Sequence, residues 1–173
     1  METTTRHDDG STAFELTSFL QGRSVATGIF EDRFGRLRRR FRVEMFGHWR
    51  GELFHLDERF EYDTGEVEAR TWLVTPLGAG RFTATCPDCV GKAYGESSSD
   101  SIRMAYKFRL RVGTRSFVLA FDDRIYRMAD GAALNRVRLK KWGFKIGELS
   151  LHIQRANGDG QLALQPVAAS VDT

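Results

Sequence analysis

Ser101-Ile-Arg-Met-Ala-Tyr-Lys-Phe-Arg-Leu-Arg-Val112 is the stretch that decides the fold. Ile102, Met104, Tyr106, Phe108, Leu110 and Val112 are apolar, and Arg103, Lys107, Arg109 and Arg111 stand between them. Strict alternation over this length is the mark of a strand with one buried face and one solvated face. The pattern recurs upstream, where Phe41, Val43, Met45, Gly47 and Trp49 alternate with Arg40, Arg42, Glu44, Phe46, His48 and Arg50. It recurs downstream in Phe117, Leu119 and Phe121, and again in Leu149, Leu151 and Ile153.

Shorter strands are expected at 24–30, 52–62, 67–77, 81–86 and 91–96, with others near 124–128 and 135–139. Turn signals punctuate them: Arg33-Phe-Gly-Arg36, Asp63-Thr-Gly65, Leu77-Gly-Ala-Gly80, Gly113-Thr114 and Ala129-Asp-Gly131. Residues 13–21 are the single helix candidate, with Ser11 or Thr12 as its cap and Gly22 as its stop. No βαβ pattern occurs, which excludes an α/β nucleotide-binding fold. The expectation is one all-β domain over residues 13–155, flanked by a flexible start (1–12) and tail (156–173). Long strands joined by short turns favour an antiparallel up-and-down barrel of about 8–10 strands over a sandwich. The large aromatic side chains on one strand face suit a barrel that lines a cavity.

The chain has 173 residues, of which 41% are hydrophobic and 28% charged, with 13 Phe, 17 Gly and 3 Pro. No apolar run approaches the ~20 residues of a membrane-spanning helix. The N-terminus shows neither an apolar signal core nor a lipidation cysteine, so a cytoplasmic location is expected. The run Arg36-Leu-Arg-Arg-Arg-Phe-Arg42 could face a phosphate backbone. However, a net charge of +3 is weak for a nucleic-acid binder, and the same arginines suit a solvated strand face.

The hairpin around Asp63-Thr-Gly65 orders one wall. Read as a three-residue loop closed by a left-handed glycine, it sets Tyr62 opposite Glu66, Phe60 opposite Glu68, Glu58 opposite Arg70 and Leu56 opposite Trp72. Glu58 and Arg70 then share the inward face with Leu56, Phe60, Tyr62 and Trp72. Inside an apolar barrel a charged pair is tolerable where a lone charge is not. Its roles could be structural, a polar anchor for a ligand head group, or catalytic acid chemistry. A two-residue turn would shift every pairing and swap the faces.

Other constellations carry less. Cys86-Pro-Asp-Cys89 lacks the thioredoxin-like context of a redox motif and the second pair a zinc site would want, so free thiols are expected. The four histidines have no metal-ligand spacing, although His48 and His55 flank one turn and could meet. Phe121-Asp-Asp-Arg-Ile-Tyr126 puts two carboxylates at an expected strand end beside Tyr126. Only one of the two can face inward. With Asn135 and Arg136 they could form a polar cluster at the barrel mouth. No cofactor or metal is expected.

Several segments resemble one family in order. These are Gly28-Ile-Phe-Glu-Asp-Arg-Phe-Gly35, Leu56-Asp-Glu-Arg-Phe-Glu-Tyr-Asp-Thr-Gly65, Phe121-Asp-Asp-Arg-Ile-Tyr126, Leu134-Asn-Arg136 and Lys141-Trp-Gly-Phe-Lys-Ile-Gly-Glu148. They resemble the bacterial domain-of-unknown-function family 3833, across residues 14–155. The resemblance implies a lipocalin-like, calycin-type barrel and a role near membrane lipid or fatty-acid metabolism. It places Glu58, Asp122, Asp123, Tyr126, Asn135, Arg136 and Glu148 at recurrent motif positions without giving any of them a role. The chain departs from the family's lipoprotein-like members in lacking a signal and an anchoring cysteine, and its Cys-x-x-Cys is a local departure.

The leading expectation is a binding protein for a hydrophobic small molecule or lipid, such as a fatty acid, isoprenoid or pigment. Phe41, Met45, Trp49, Phe60, Trp72, Met104, Tyr106, Phe108 and Phe121 would line the cavity, with Glu58, Arg70, Tyr126 and Arg136 as its polar groups. A transient membrane contact is a further expectation. An enzyme of isomerase, hydratase or cyclase type would use Glu58 or Asp123 as acid or base and Arg70 or Tyr126 as polariser. A module without a ligand would instead show a filled interior.

Overall fold

The structure is a computed structural model that describes residues 13–156. The segment 1–12, with the candidate caps Ser11 and Thr12, lies outside the described residues, as does the tail beyond Ala156.

One short helix, α1 (Leu16–Leu20), precedes ten strands: β1 (Gly22–Asp32), β2 (Leu37–Arg50), β3 (Leu53–Tyr62), β4 (Val67–Gly78), β5 (Arg81–Thr85), β6 (Ala93–Ser97), β7 (Ser101–Val112), β8 (Arg115–Arg127), β9 (Ala133–Lys141) and β10 (Phe144–Arg155). Each strand pairs antiparallel with its sequence neighbours, and β1 also pairs with β10, which closes the barrel. The hairpin register is the expected one: Glu58 opposes Arg70, Phe60 opposes Glu68 and Leu56 opposes Trp72. Gly65 closes the turn with φ 82°, and its N–H donates to the Tyr62 carbonyl at 2.9 Å.

Three expectations are corrected. The helix is one turn long rather than spanning 13–21. No side chain caps its start at Glu15, and the Phe14 N–H donates instead to the Ser98 carbonyl, which holds the chain extended there. Packing of Leu16, Phe19 and Leu20, not capping, sustains the turn. The strand expected through Phe117, Leu119 and Phe121 and the one expected near 124–128 are one continuous β8, because Asp122 to Tyr126 keep the ladder to both β7 and β9. At Trp142-Gly143 a two-residue turn, with both residues at positive φ, extends β9 and β10 to meet it.

The meander gives the barrel two unlike ends. The β2–β3, β4–β5, β6–β7 and β8–β9 connections lie at the end where α1 sits. The β1–β2, β3–β4, β7–β8 and β9–β10 turns ring the other. α1 closes its end by crossing Gly47 of β2. A Cβ there would fall 2.1 Å from the Leu20 carbonyl oxygen and 2.5 Å from the Phe54 ring. Only glycine admits this approach, and Phe54, fully buried, packs beneath.

Candidate functional site

Between α1 and the opposite mouth the barrel is not filled by its own side chains. A cavity of about 310 Å³ remains, with Leu16 and Leu20 as its floor and Phe30, Arg39, Glu66 and Arg111 around its upper part. Alternation builds its wall. Inward positions on β2, β3, β4, β7 and β8 supply Phe41, Met45, Phe60, Trp72, Met104, Tyr106, Phe108 and Phe121. The rings form a continuous aromatic array: Trp72–Tyr106 at 5.2 Å edge to face, Tyr106–Phe121 at 5.1 Å stacked, and Phe108–Phe121 at 5.4 Å.

Two polar groups interrupt this wall. On β3 and β4, Arg70 Nε lies 3.8 Å from Glu58 Oε2, and its terminal nitrogen lies 3.4 Å from Glu68 Oε2. The guanidinium sits between two rings, with its carbon 4.4 Å from the Phe60 centroid and 4.8 Å from that of Phe108. This sandwich fixes the arginine where a flexible cation would fold back on its acids. The Tyr62 hydroxyl donates to Glu68 at 3.1 Å. Burial raises the Glu58 carboxyl above its ordinary range. The charge of Arg70 and a hydrogen bond from Trp72 oppose that rise without cancelling it.

The second group lies on β7, β8 and β9. Asp123 is buried and accepts from the Tyr106 hydroxyl at 3.4 Å and from the Asn135 amide nitrogen. The Asn135 amide nitrogen also donates to the Arg124 carbonyl, which fixes its orientation. Burial pushes the Asp123 carboxyl up to about 7, and the Glu58 charge adds to the rise. The Asn135 and Tyr106 hydrogen bonds pull the other way. The Tyr106 hydroxyl is held well above its usual range, first by burial and then by Asp123 and Glu58. Of the carboxyls that face this apolar cavity, Glu58 and Glu68 share the Arg70 cation, and Asp123 is held only by neutral donors.

Three residues expected on the inner wall lie elsewhere. Trp49 has the inward parity of Met45, but it sits beyond the α1-capped end, half exposed against Phe54. Tyr126 follows inward Ile125 on the unbroken β8 and so points outward. Arg136 follows inward Asn135 for the same reason. On the outer face Arg136 pairs with Glu148, which also accepts from Lys145 at 3.1 Å and lies 3.6 Å from Arg138. Burial would raise the Glu148 carboxyl, but these cations hold it low. The expected mouth cluster thus reduces to Asp123 and Asn135, which lie inside the barrel. Tyr62 lies inward as the hairpin register predicts, and Glu68 joins it; parity along β4 from Arg70 would have found Glu68.

Cys86 and Cys89 are free thiols packed against the core, and burial pushes Cys86 up to about 11. His48 and His55 do meet, stacked at 5.4 Å on the outer face. Among the described residues no group of three or more His, Cys, Asp or Glu is arranged to hold a metal ion. No helix among them is long and apolar enough to cross a membrane. A search of the curated proteins finds no match. A family model does match: residues 2–155 fit the protein of unknown function DUF3833, nearly the full length, and the chain belongs to that family.

Proposed function

We propose that this lipocalin-like barrel binds a hydrophobic small molecule whose polar head rests against Arg70 and Glu58 and whose apolar body lies along the Trp72–Tyr106–Phe121 array. The observation that carries the reading is the unfilled interior: an apolar cavity of about 310 Å³ with a few convergent polar groups. Charge balance narrows the ligand class. Arg70 already faces two carboxylates, and Asp123 adds a third acid nearby. A further ionised carboxylate would be repelled. A neutral, hydrogen-bonding head, such as an isoprenoid alcohol or a protonated acid, fits better than a fatty-acid anion.

Retinol and retinoic acid, which share a body and differ in the head, test this by quenching of tryptophan fluorescence. Retinol is expected to bind more tightly than retinoic acid at pH 8. Arg70→Met and Phe121→Ala should both weaken it. Absence of binding by either probe, or tighter binding of retinoic acid at pH 8, would count against the reading.

The carboxyl of Asp123 favours a second reading, an enzyme of isomerase, hydratase or cyclase type. A group poised near 7 beside a tyrosine hydroxyl is suited to general acid–base chemistry on a bound hydrophobic substrate. Loss of turnover in Asp123→Asn with retained ligand binding would support it. Unchanged turnover in both Asp123→Asn and Glu58→Gln would refute it.

A further inference from the structure

The three most exposed large apolar side chains among the described residues are Trp142 at 86%, Phe144 at 74% and Phe34 at 69%. Phe34 and Trp142 lie on the β1–β2 and β9–β10 turns, and Phe144 is the first residue of β10. These tips are neighbours, because β1 pairs with β10 up to Asp32 opposite Gly147. Both stand at the open end of the barrel, beside Phe30 and Leu149 of the cavity wall.

Trp142 is held at φ 50°, a region that bulky residues seldom occupy. A hairpin of this type favours Asn or Asp there, so the indole is displayed against local backbone preference. Cations accompany two of the rings. Arg33 lies 4.6 Å and Arg36 5.8 Å from the Phe34 centroid, and Lys141 lies 4.7 Å from that of Trp142. Two acids on these tips are engaged by ion pairs, Asp32 by Arg38 and Glu148 by Arg136 and Lys145, and Glu31, opposite Glu148, acts electrostatically on Arg136. The β3–β4 turn, next to the β1–β2 tip, carries Asp63 and Glu66, the latter paired with Arg39, and the β7–β8 turn, next to the β9–β10 tip, carries Arg111 and Arg115.

We propose that this side of the rim docks on an anionic lipid bilayer. Aromatic rings with adjacent Lys and Arg are the side chains favoured at the bilayer interface, and anionic headgroups complement the unpaired cations. Docking seats the β1–β2 and β9–β10 tips in the headgroups. The surface stands independently of the ligand. Its use as the route by which the cavity loads and empties rests on the binding function proposed above.

Co-sedimentation of the full chain with two vesicle types tests it: phosphatidylcholine alone, and phosphatidylcholine with phosphatidylglycerol. Binding is expected to the anionic vesicles, to weaken with salt, and to fall by about tenfold or more in Phe34→Ser/Trp142→Ser/Phe144→Ser. These positions are exposed, so the variant should fold and bind retinol in solution as the parent does. That readout separates failure of docking from failure of the cavity reading. Three results would overturn the proposal: no preference for anionic vesicles, equal binding by the variant, or no vesicle binding alongside self-association that the variant abolishes. The last would assign the patch to a second copy of the chain.

Discussion

Asp123→Asn is expected to stabilise the protein at alkaline pH and to leave it nearly unchanged in acid. In the folded barrel the carboxyl is held at about 7 against an ordinary 3.8. For an acid raised in this way, the unfolded chain releases its proton first. The folded state is therefore penalised progressively as pH rises through that window, with no penalty below about pH 4 and the full penalty above about pH 7. Moving a carboxyl between those two values corresponds to about 4 kcal/mol. About 3 kcal/mol of it accrues between about pH 5 and pH 8.5. Asparagine is close to isosteric with aspartate. Its carbonyl can accept from Asn135, and its amide can donate to the Tyr106 oxygen, so packing is kept and ionisation removed. Urea unfolding of parent and variant at both pH values gives the difference directly, because titration of every other group largely cancels between them. The variant should gain about 3 kcal/mol relative to the parent on going from acid to alkaline conditions. Parallel stability curves would refute the reasoning, because they would mean that Asp123 ionises freely in the folded barrel.

Gly47→Ala should unseat α1. Its Cβ meets a backbone oxygen that cannot rotate away, so a loss of about 1–3 kcal/mol is expected by thermal or urea unfolding. Arg70→Met leaves Glu58 and Glu68 facing the cavity without their cation. It should cost about 3 kcal/mol at alkaline pH and less toward acid, because a proton on the raised Glu58 carboxyl relieves the unpaired charge, and Glu58→Gln/Arg70→Met should recover part of the loss. Cys86, pushed up to about 11, should react with a thiol-exchange reagent at pH 8 far more slowly than a free cysteine, and denaturant should abolish the difference.

How much was legible in the sequence depended on what period and turn chemistry can carry. Alternation assigned the faces of β2, β7 and β10 correctly, and the Asp63-Thr-Gly turn fixed the Glu58–Arg70 pairing residue by residue. Parity fails where it is not propagated. A break assumed after Asp123 hid that Tyr126 lies three residues, and so one face, away from it. Asn135 and Arg136, as neighbours, could not both point inward. Parity is also silent on height along the barrel axis. Trp49 has the right face but lies past the level that α1 seals, and nothing local to Trp49 announces that a helix from before β1 crosses at Gly47. The cavity was less legible still, because a void is a property of ten strands together.

Closure of β1 on β10 has a consequence for how the molecule assembles. The Ala156 N–H donates to the Arg23 carbonyl, so the end of β10 finishes beside the start of β1. β1 must wait for the last strand before its second edge is satisfied. Until then the curved sheet presents two unpaired edges that could recruit another chain. The most non-local pairing is thus also the one that seals the sheet, and topology of this kind makes folding slow. A circular permutant that links β10 to α1 and opens the chain at the β4–β5 turn would make β1–β10 a local pairing and pass the closing role to β4 and β5, so closure should remain non-local while the same cavity is kept.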